Sequence, residues 1–101
     1  MISYKIQKNG LWIQEIVVSG HANQNAYGQD IVCASVSVAT IMSYNLLEKF
    51  SKDKNVFLKI KEGYFELRVL ENDDVISRIL ENLEYTLNDL QKQYPKYIQK
   101  L

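Results

Sequence analysis

Two hairpins, each followed by a helix, are what this chain of 101 residues predicts: an α+β domain of order ββαββα, its helices packed on a largely antiparallel sheet. Three observations predict it. Apolar residues alternate with period two in four short segments, and those segments pair across turn residues. After each pair the apolar spacing lengthens to the helical repeat.

Residues 2–8 alternate Ile2, Tyr4 and Ile6 with Ser3, Lys5 and Gln7, the pattern of a half-buried strand. Asn9-Gly10 follows, and both residues tolerate the positive φ of a tight hairpin turn. Leu11 to Ser19 returns as a second strand whose alternation slips at Gln14-Glu15, where a bulge is expected. Residues 20–29 obey neither period. Polar and bounded by Gly20 and Gly28, they read as a loop. Asp30 stands where a helix N-cap belongs, and residues 31–50 run on without a breaker. Ile31, Val32, Val36, Val38, Ile41, Met42, Leu46, Leu47 and Phe50 do not fit on one stripe. Such a helix is expected to be buried on most sides, by its sheet and by a partner chain. Ser51 to Asn55 is a solvated connection. Val56, Leu58 and Ile60 then alternate, as do Phe65, Leu67 and Val69 beyond a turn at Gly63, forming the second hairpin. Asn72-Asp73-Asp74 offers capping side chains. From Val75 through Ile76, Ile79, Leu80, Leu83, Leu87 and Leu90 the spacing is helical, and Pro95 ends the run.

Composition narrows the function classes. The length is that of one domain, residues 1–101, with 47% hydrophobic residues to build a core. Twelve Lys and Arg balance twelve Asp and Glu, so the basic excess of nucleic-acid binders is missing and no direct nucleic-acid contact is expected. The N-terminus lacks the basic and apolar regions of a signal peptide, and no stretch is expected to span a membrane. One cysteine excludes an intrachain disulfide and a multi-cysteine zinc site. The expected compartment is the cytoplasm, where a thiol stays reduced.

The chain holds one Cys and one His, twelve positions apart, at and beside the only segment without periodicity. Cysteine proteolysis needs a thiolate, a base for its proton, and donors for the developing oxyanion. With Asp30 as N-cap, Cys33 falls in the first turn, where free amides and the helix dipole favour a thiolate. Those amides are also candidate oxyanion donors, and the loop is long enough to fold His21 back over the helix start. The Asp30 carboxylate opposes the thiolate by repulsion, unless it is spent on the cap or offset by a charged His21. Ser37, four residues beyond Cys33, shares its helix face, although a mid-helix Ser more often bonds back to a carbonyl one turn earlier. A lone Cys between Val32 and Ala34 is by itself most often a small buried hydrophobe. Its company at a loop-to-helix junction is what raises the nucleophile reading.

Ser19-Gly20-His21-Ala22, then Tyr27-Gly28-Gln29-Asp30-Ile31-Val32-Cys33-Ala34-Ser35-Val36-Ser37, resembles the hallmark of the ribosomal-processing cysteine protease family, Prp. That pattern is Gly-His-Ala, a short variable loop, Gly-x-Asp-Ile-Val-Cys-Ala, and a Ser four residues after the Cys, and every anchor is present. Ser35 stands where many relatives carry a small Ala or Gly, a mild departure. The resemblance implies a homodimeric, cytoplasmic endopeptidase without cofactor. Its partner would be the precursor of a large-subunit ribosomal protein, number twenty-seven in the usual series, whose N-terminal extension it removes. It also implies Cys33 as nucleophile, His21 as general base, Asp30 and Ser37 in support, and a flexible loop marked by Gly20, Ala22, Tyr27 and Gly28. A reading from another class is a non-catalytic ribosome-assembly or RNA-associated module on the same scaffold, which predicts salt-sensitive RNA binding and an inert Cys33.

Overall fold

A computed structural model describes residues 1–20 and 27–101, with side chains of the second stretch described from Asp30 onward. Strands β1 (Ile2–Asn9) and β2 (Trp12–Ser19) form the first hairpin, and helix α1 (Tyr27–Lys49) follows. A single 3-10 turn, Asp53–Asn55, leads into β3 (Val56–Lys61) and β4 (Tyr64–Val69), the second hairpin. Helix α2 (Asp74–Gln93) and a short strand β5 (Ile98–Lys100) complete the chain. The expected ββαββα order holds, and β5 is an addition to it.

The five strands lie in the order β3-β4-β2-β1-β5, all antiparallel except the β1–β5 pair. Register sorts the side chains onto two faces. Tyr4, Val18, Phe65 and Ile60 form one inward row across the strands, and Ile6, Ile16, Leu67 and Leu58 form the next. The opposite face carries Lys5, Gln7, Glu66, Arg68 and Lys59, so only one face has apolar cover, as is usual for antiparallel sheets. Ile16 and Leu67 are fully buried, and each such side chain contributes roughly 1.5–3 kcal/mol by leaving water.

The expected bulge is present. Gln7 pairs with Glu15 and Lys8 with Ile13, which leaves Gln14 as the extra residue. The first turn, however, sits one residue later than Asn9-Gly10: Asn9 pairs with Trp12, and Gly10-Leu11 form the loop. Gly10 takes φ +65° while Leu11 stays at negative φ. That is the type II′ pattern, which needs glycine only at its first central position.

Helix α2 presents Ile76, Leu80, Leu83 and Leu87 to the core at spacings of three and four. Asp73 caps it, its Oδ1 accepting from the Ile76 amide at 2.9 Å. Tyr4 ties β1 to α2, its hydroxyl donating to Asn88 Oδ1 at 2.6 Å.

Helix α1 departs from expectation at its start. It starts at Tyr27, three residues before Asp30, so Asp30 is an acidic residue within the first turn and not the N-cap. Gly28 in a helix costs about 1 kcal/mol against Ala, too little to break it. Within the single chain the helix is buried along one stripe, Val32, Val36, Thr40, Ser43 and Leu47, and its other sides are left to the cover expected from a partner chain. The two hydroxyls in that stripe bond back to Val36 O and Ala39 O, at 2.9 and 2.7 Å. Val38 and Met42 on the far side are 63% and 61% exposed. The stretch Asp30–Lys49 is also long and apolar enough to cross a membrane by length and composition, contrary to the expectation above. In this fold its Val32, Val36 and Leu47 instead complete the core shared with the sheet and α2.

At its C-terminal end, Ser51 takes φ +59°. Its amide donates to Glu48 O at 2.9 Å and that of Lys52 to Leu47 O at 2.8 Å, a Schellman arrangement.

Candidate active site

The site lies at one end of the sheet, where β2 finishes, β4 begins and β1 starts. Pairing of Ser19 with both Ser3 and Tyr64 brings these three ends together. Gly20 locks the junction. Its amide donates to Gly63 O at 2.9 Å, and its φ is +101°. A Cβ added there would overlap the Met1 carbonyl oxygen and lie 3.2 Å from Ile2 Cα. Glycine is thus required by backbone conformation and by space, independently of any chemistry at the next residue.

Against this corner lies the first part of α1, and between them is a cavity of about 130 Å³. Cys33 and Ser37 border it from the helix, one turn apart, with Val36, Thr40 and Ile41. Gly20, Ile2 and Val18 border it from the first hairpin, and Ile60, Lys61, Tyr64 and Phe65 from the second. The walls are mainly apolar, and water occupies about 30 Å³ in the liquid, so the space suits one small apolar side chain or a few waters. Cys33 is half-buried, reached from the cavity and not sealed in the aliphatic core.

The structure therefore brings Cys33, Ser37 and Gly20 to one space. Asp30 is exposed in the first turn and does not border the cavity. Tyr27 and Gly28 form the first two helical positions. His21 and Ala22 lie outside the described residues.

Because α1 begins at Tyr27, Cys33 is in its second turn, beyond the four amides that a helix start leaves without intrahelical partners. The expectation that Cys33 sits among free first-turn amides is corrected accordingly. The dipole's influence, which fades within the first turn, reaches the sulfur weakly. Ser37 also departs from the commoner habit of its type. Among the described residues of α1, Ser35, Thr40 and Ser43 bond back to the preceding turn, while Ser37 is exposed at the cavity.

Lys61 and Tyr64 were not singled out from sequence. The Gly63 turn was legible, but nothing local tied it to Cys33. Lys61 Nζ sits 5.5 Å from the Tyr64 ring centre. The Tyr64 hydroxyl donates to Glu66 Oε1 at 2.8 Å, and that bond raises its pKa above the usual tyrosine value. Its proton is held, so Tyr64 is no candidate base at neutral pH. Among the described residues no group of His, Cys, Asp or Glu converges to hold a metal ion.

Comparison with known proteins adds three findings. The profile of the family described as cysteine protease Prp matches residues 1–99. The ribosomal processing cysteine protease Prp of Staphylococcus aureus is 26% identical over 88 residues, which is 85% of this chain and 83% of that protein. The crystal structure of an essential ribosomal processing protease Prp from S. aureus, in complex with a substrate peptide, superposes with TM-score 0.90 at 25% identity, covering 100% of this chain and 98% of that one. A Streptococcus mutans protein shares the fold, with TM-score 0.85 at 24% identity over 99% and 91% of the two chains.

Proposed function

The chain belongs to the family of the cysteine protease Prp, and from that premise we propose that it removes the N-terminal extension of a ribosomal protein precursor, with Cys33 as nucleophile and His21 as base. The precursor is that of large-subunit protein number twenty-seven. The observation that carries this is the position of Cys33: within the family's sequence hallmark, half-buried, and open to an apolar cavity at the end of the sheet.

In the reaction, Cys33 Sγ attacks the scissile carbonyl carbon and His21 takes the thiol proton. The tetrahedral oxyanion collapses with cleavage of the C–N bond, and the imidazolium returns its proton to the leaving amine. Water, deprotonated by His21, then resolves the thioester and restores the thiol. Since Cys33 lies past the first turn, the base has the larger share in generating the thiolate. Ser37, one turn along, positions the nucleophile or the imidazole through its hydroxyl. The acid of Asp30 complements the helix start, which is worth about 0.3–1 kcal/mol in exposed settings. The mainly apolar walls of the cavity suit an apolar side chain of the precursor beside the scissile bond.

A second copy of the chain covers the exposed apolar face of α1, where Val38, Ile41, Met42 and Leu46 face outward, with Phe50 just beyond the helix end. Contiguous apolar surface of that kind marks interaction sites. The working compartment is the cytoplasm, where the precursor is made.

The direct experiment incubates the purified chain with the full-length precursor and follows mass by spectrometry. A product shortened at its N-terminus is expected from the wild type and none from Cys33→Ala or His21→Ala, with folding of both variants checked by circular dichroism. Undiminished turnover in either variant refutes its role.

A further inference from the structure

Strand β3 ends the sheet. β4 pairs with it along its whole length, from Val56 opposite Val69 to Lys61 opposite Tyr64, and no described strand lies on its other side. Six residues without proline thus present a row of backbone N–H and C=O groups able to pair with a further strand. Residues Ile60 and Lys61 of this strand also border the cavity that Cys33 borders, so edge and sulfur share one space. Ile60 faces inward, directly opposite Phe65, yet Ile60 is 47% exposed and Phe65 only 5%. Phe65 has a neighbouring strand on both sides and Ile60 on one. An added strand would supply the missing cover. Lys59 and Lys61 alternate with Ile60 onto the opposite face. Two copies of this edge would set like charges against each other, which discourages self-pairing. A strand with acidic or neutral residues meets no such penalty.

We propose that the β3 edge receives the substrate as an added strand that carries the scissile bond to Cys33, with Lys59 and Lys61 favouring acidic residues on that strand's outer face. The inference rests on the protease reading above and supplies its mode of substrate binding. Nucleophilic attack needs an amide approachable out of its plane, which an extended chain offers. In strand addition the main chain provides the affinity, and only alternate residues turn their amides toward the partner.

The test uses a synthetic peptide spanning the extension of the ribosomal precursor, with each amide N-methylated in turn. Cleavage by the wild type gives kcat and KM, and fluorescence anisotropy on Cys33→Ala gives Kd. Methylation is expected to raise KM and Kd about tenfold at every second residue on one side of the scissile bond, the loss of roughly one hydrogen bond, with little change between. Glu at outer-face positions should bind more tightly than Lys, and Lys59→Glu with Lys61→Glu should reverse that order. Losses without alternation, or an order unmoved by the charge reversal, overturn the proposal. If the wild type cleaves nothing while the alternation persists in Kd, the protease reading falls and the docking edge stands.

Discussion

Replacing Gly20 by Ala, with Gly10→Ala as the matched control, separates two costs that one glycine position usually confounds. Both residues adopt positive φ, +101° at Gly20 and +65° at Gly10. At Gly10 an added Cβ meets nothing within 4 Å, so only the left-handed backbone opposes alanine, at about 1–2 kcal/mol. At Gly20 the same Cβ overlaps the Met1 carbonyl oxygen, and that neighbour is backbone. The start of β1 must then shift, and the Gly20 amide's bond to Gly63 O and the Ile2 amide's bond to Tyr97 O weaken with it. Each such bond is worth roughly 0.5–1.5 kcal/mol net. The expected loss at Gly20 is therefore about 2–5 kcal/mol, a large share of the ~5–15 kcal/mol that holds a domain folded. Urea denaturation followed by circular dichroism measures both variants. Because Ile2, Gly20 and Gly63 border the cavity, folded Gly20→Ala should also turn over the precursor peptide more slowly, while Gly10→Ala should not. Equal losses of stability in the two variants would show that the close approach to Met1 is immaterial and would refute the reasoning.

Further outcomes follow from other elements. Ser51→Gly relieves a left-handed non-glycine residue at the Schellman position, and should stabilise by about 0.5–1 kcal/mol, read as a thermal midpoint higher by roughly 4 °C. The amide of Ile76 and the ammonium of Lys52 hold the Asp73 carboxyl below its ordinary pKa. A carboxyl depressed on folding stabilises above its unfolded pKa of about 3.9, and that stability goes as pH falls through the folded value. The midpoint in urea should thus drop more steeply below about pH 4 in the wild type than in Asp73→Asn, which keeps a capping oxygen. Val38→Glu with Met42→Glu should dissociate the proposed dimer in analytical ultracentrifugation, whereas an unchanged mass would remove α1 from the proposed interface.

The order of elements was legible because each is set by neighbours in sequence. Alternation gave four strands, the slip at Gln14-Glu15 gave the bulge, and Asp73 gave the cap of α2. Boundaries were less legible. Gly28 and the polar residues before it read as a loop end, yet helix α1 claims Tyr27 onward, since one glycine costs less than a turn of packed helix returns. Strand β5 left no periodic signal at all. Its three residues are a strand because β1 lies beside them, Ile2 against Ile98 and Tyr4 against Lys100.

For the site the division is similar. The residues from Ser19 to Ser37 carry a pattern dense enough to identify the family, and within it stands the chain's single cysteine, Cys33. What a local pattern cannot encode is which distant segments face that cysteine. The β3-β4-β2-β1-β5 order alone places Ile60 and Tyr64 across from Cys33, and the close approach of Met1 alone makes Gly20 obligatory in space as well as in φ. Periodicity reports which side of an element is apolar. Which apolar sides meet one another, and which stay open at an edge or on α1, depends on contacts between residues far apart in sequence, and those exist only once the sheet has assembled.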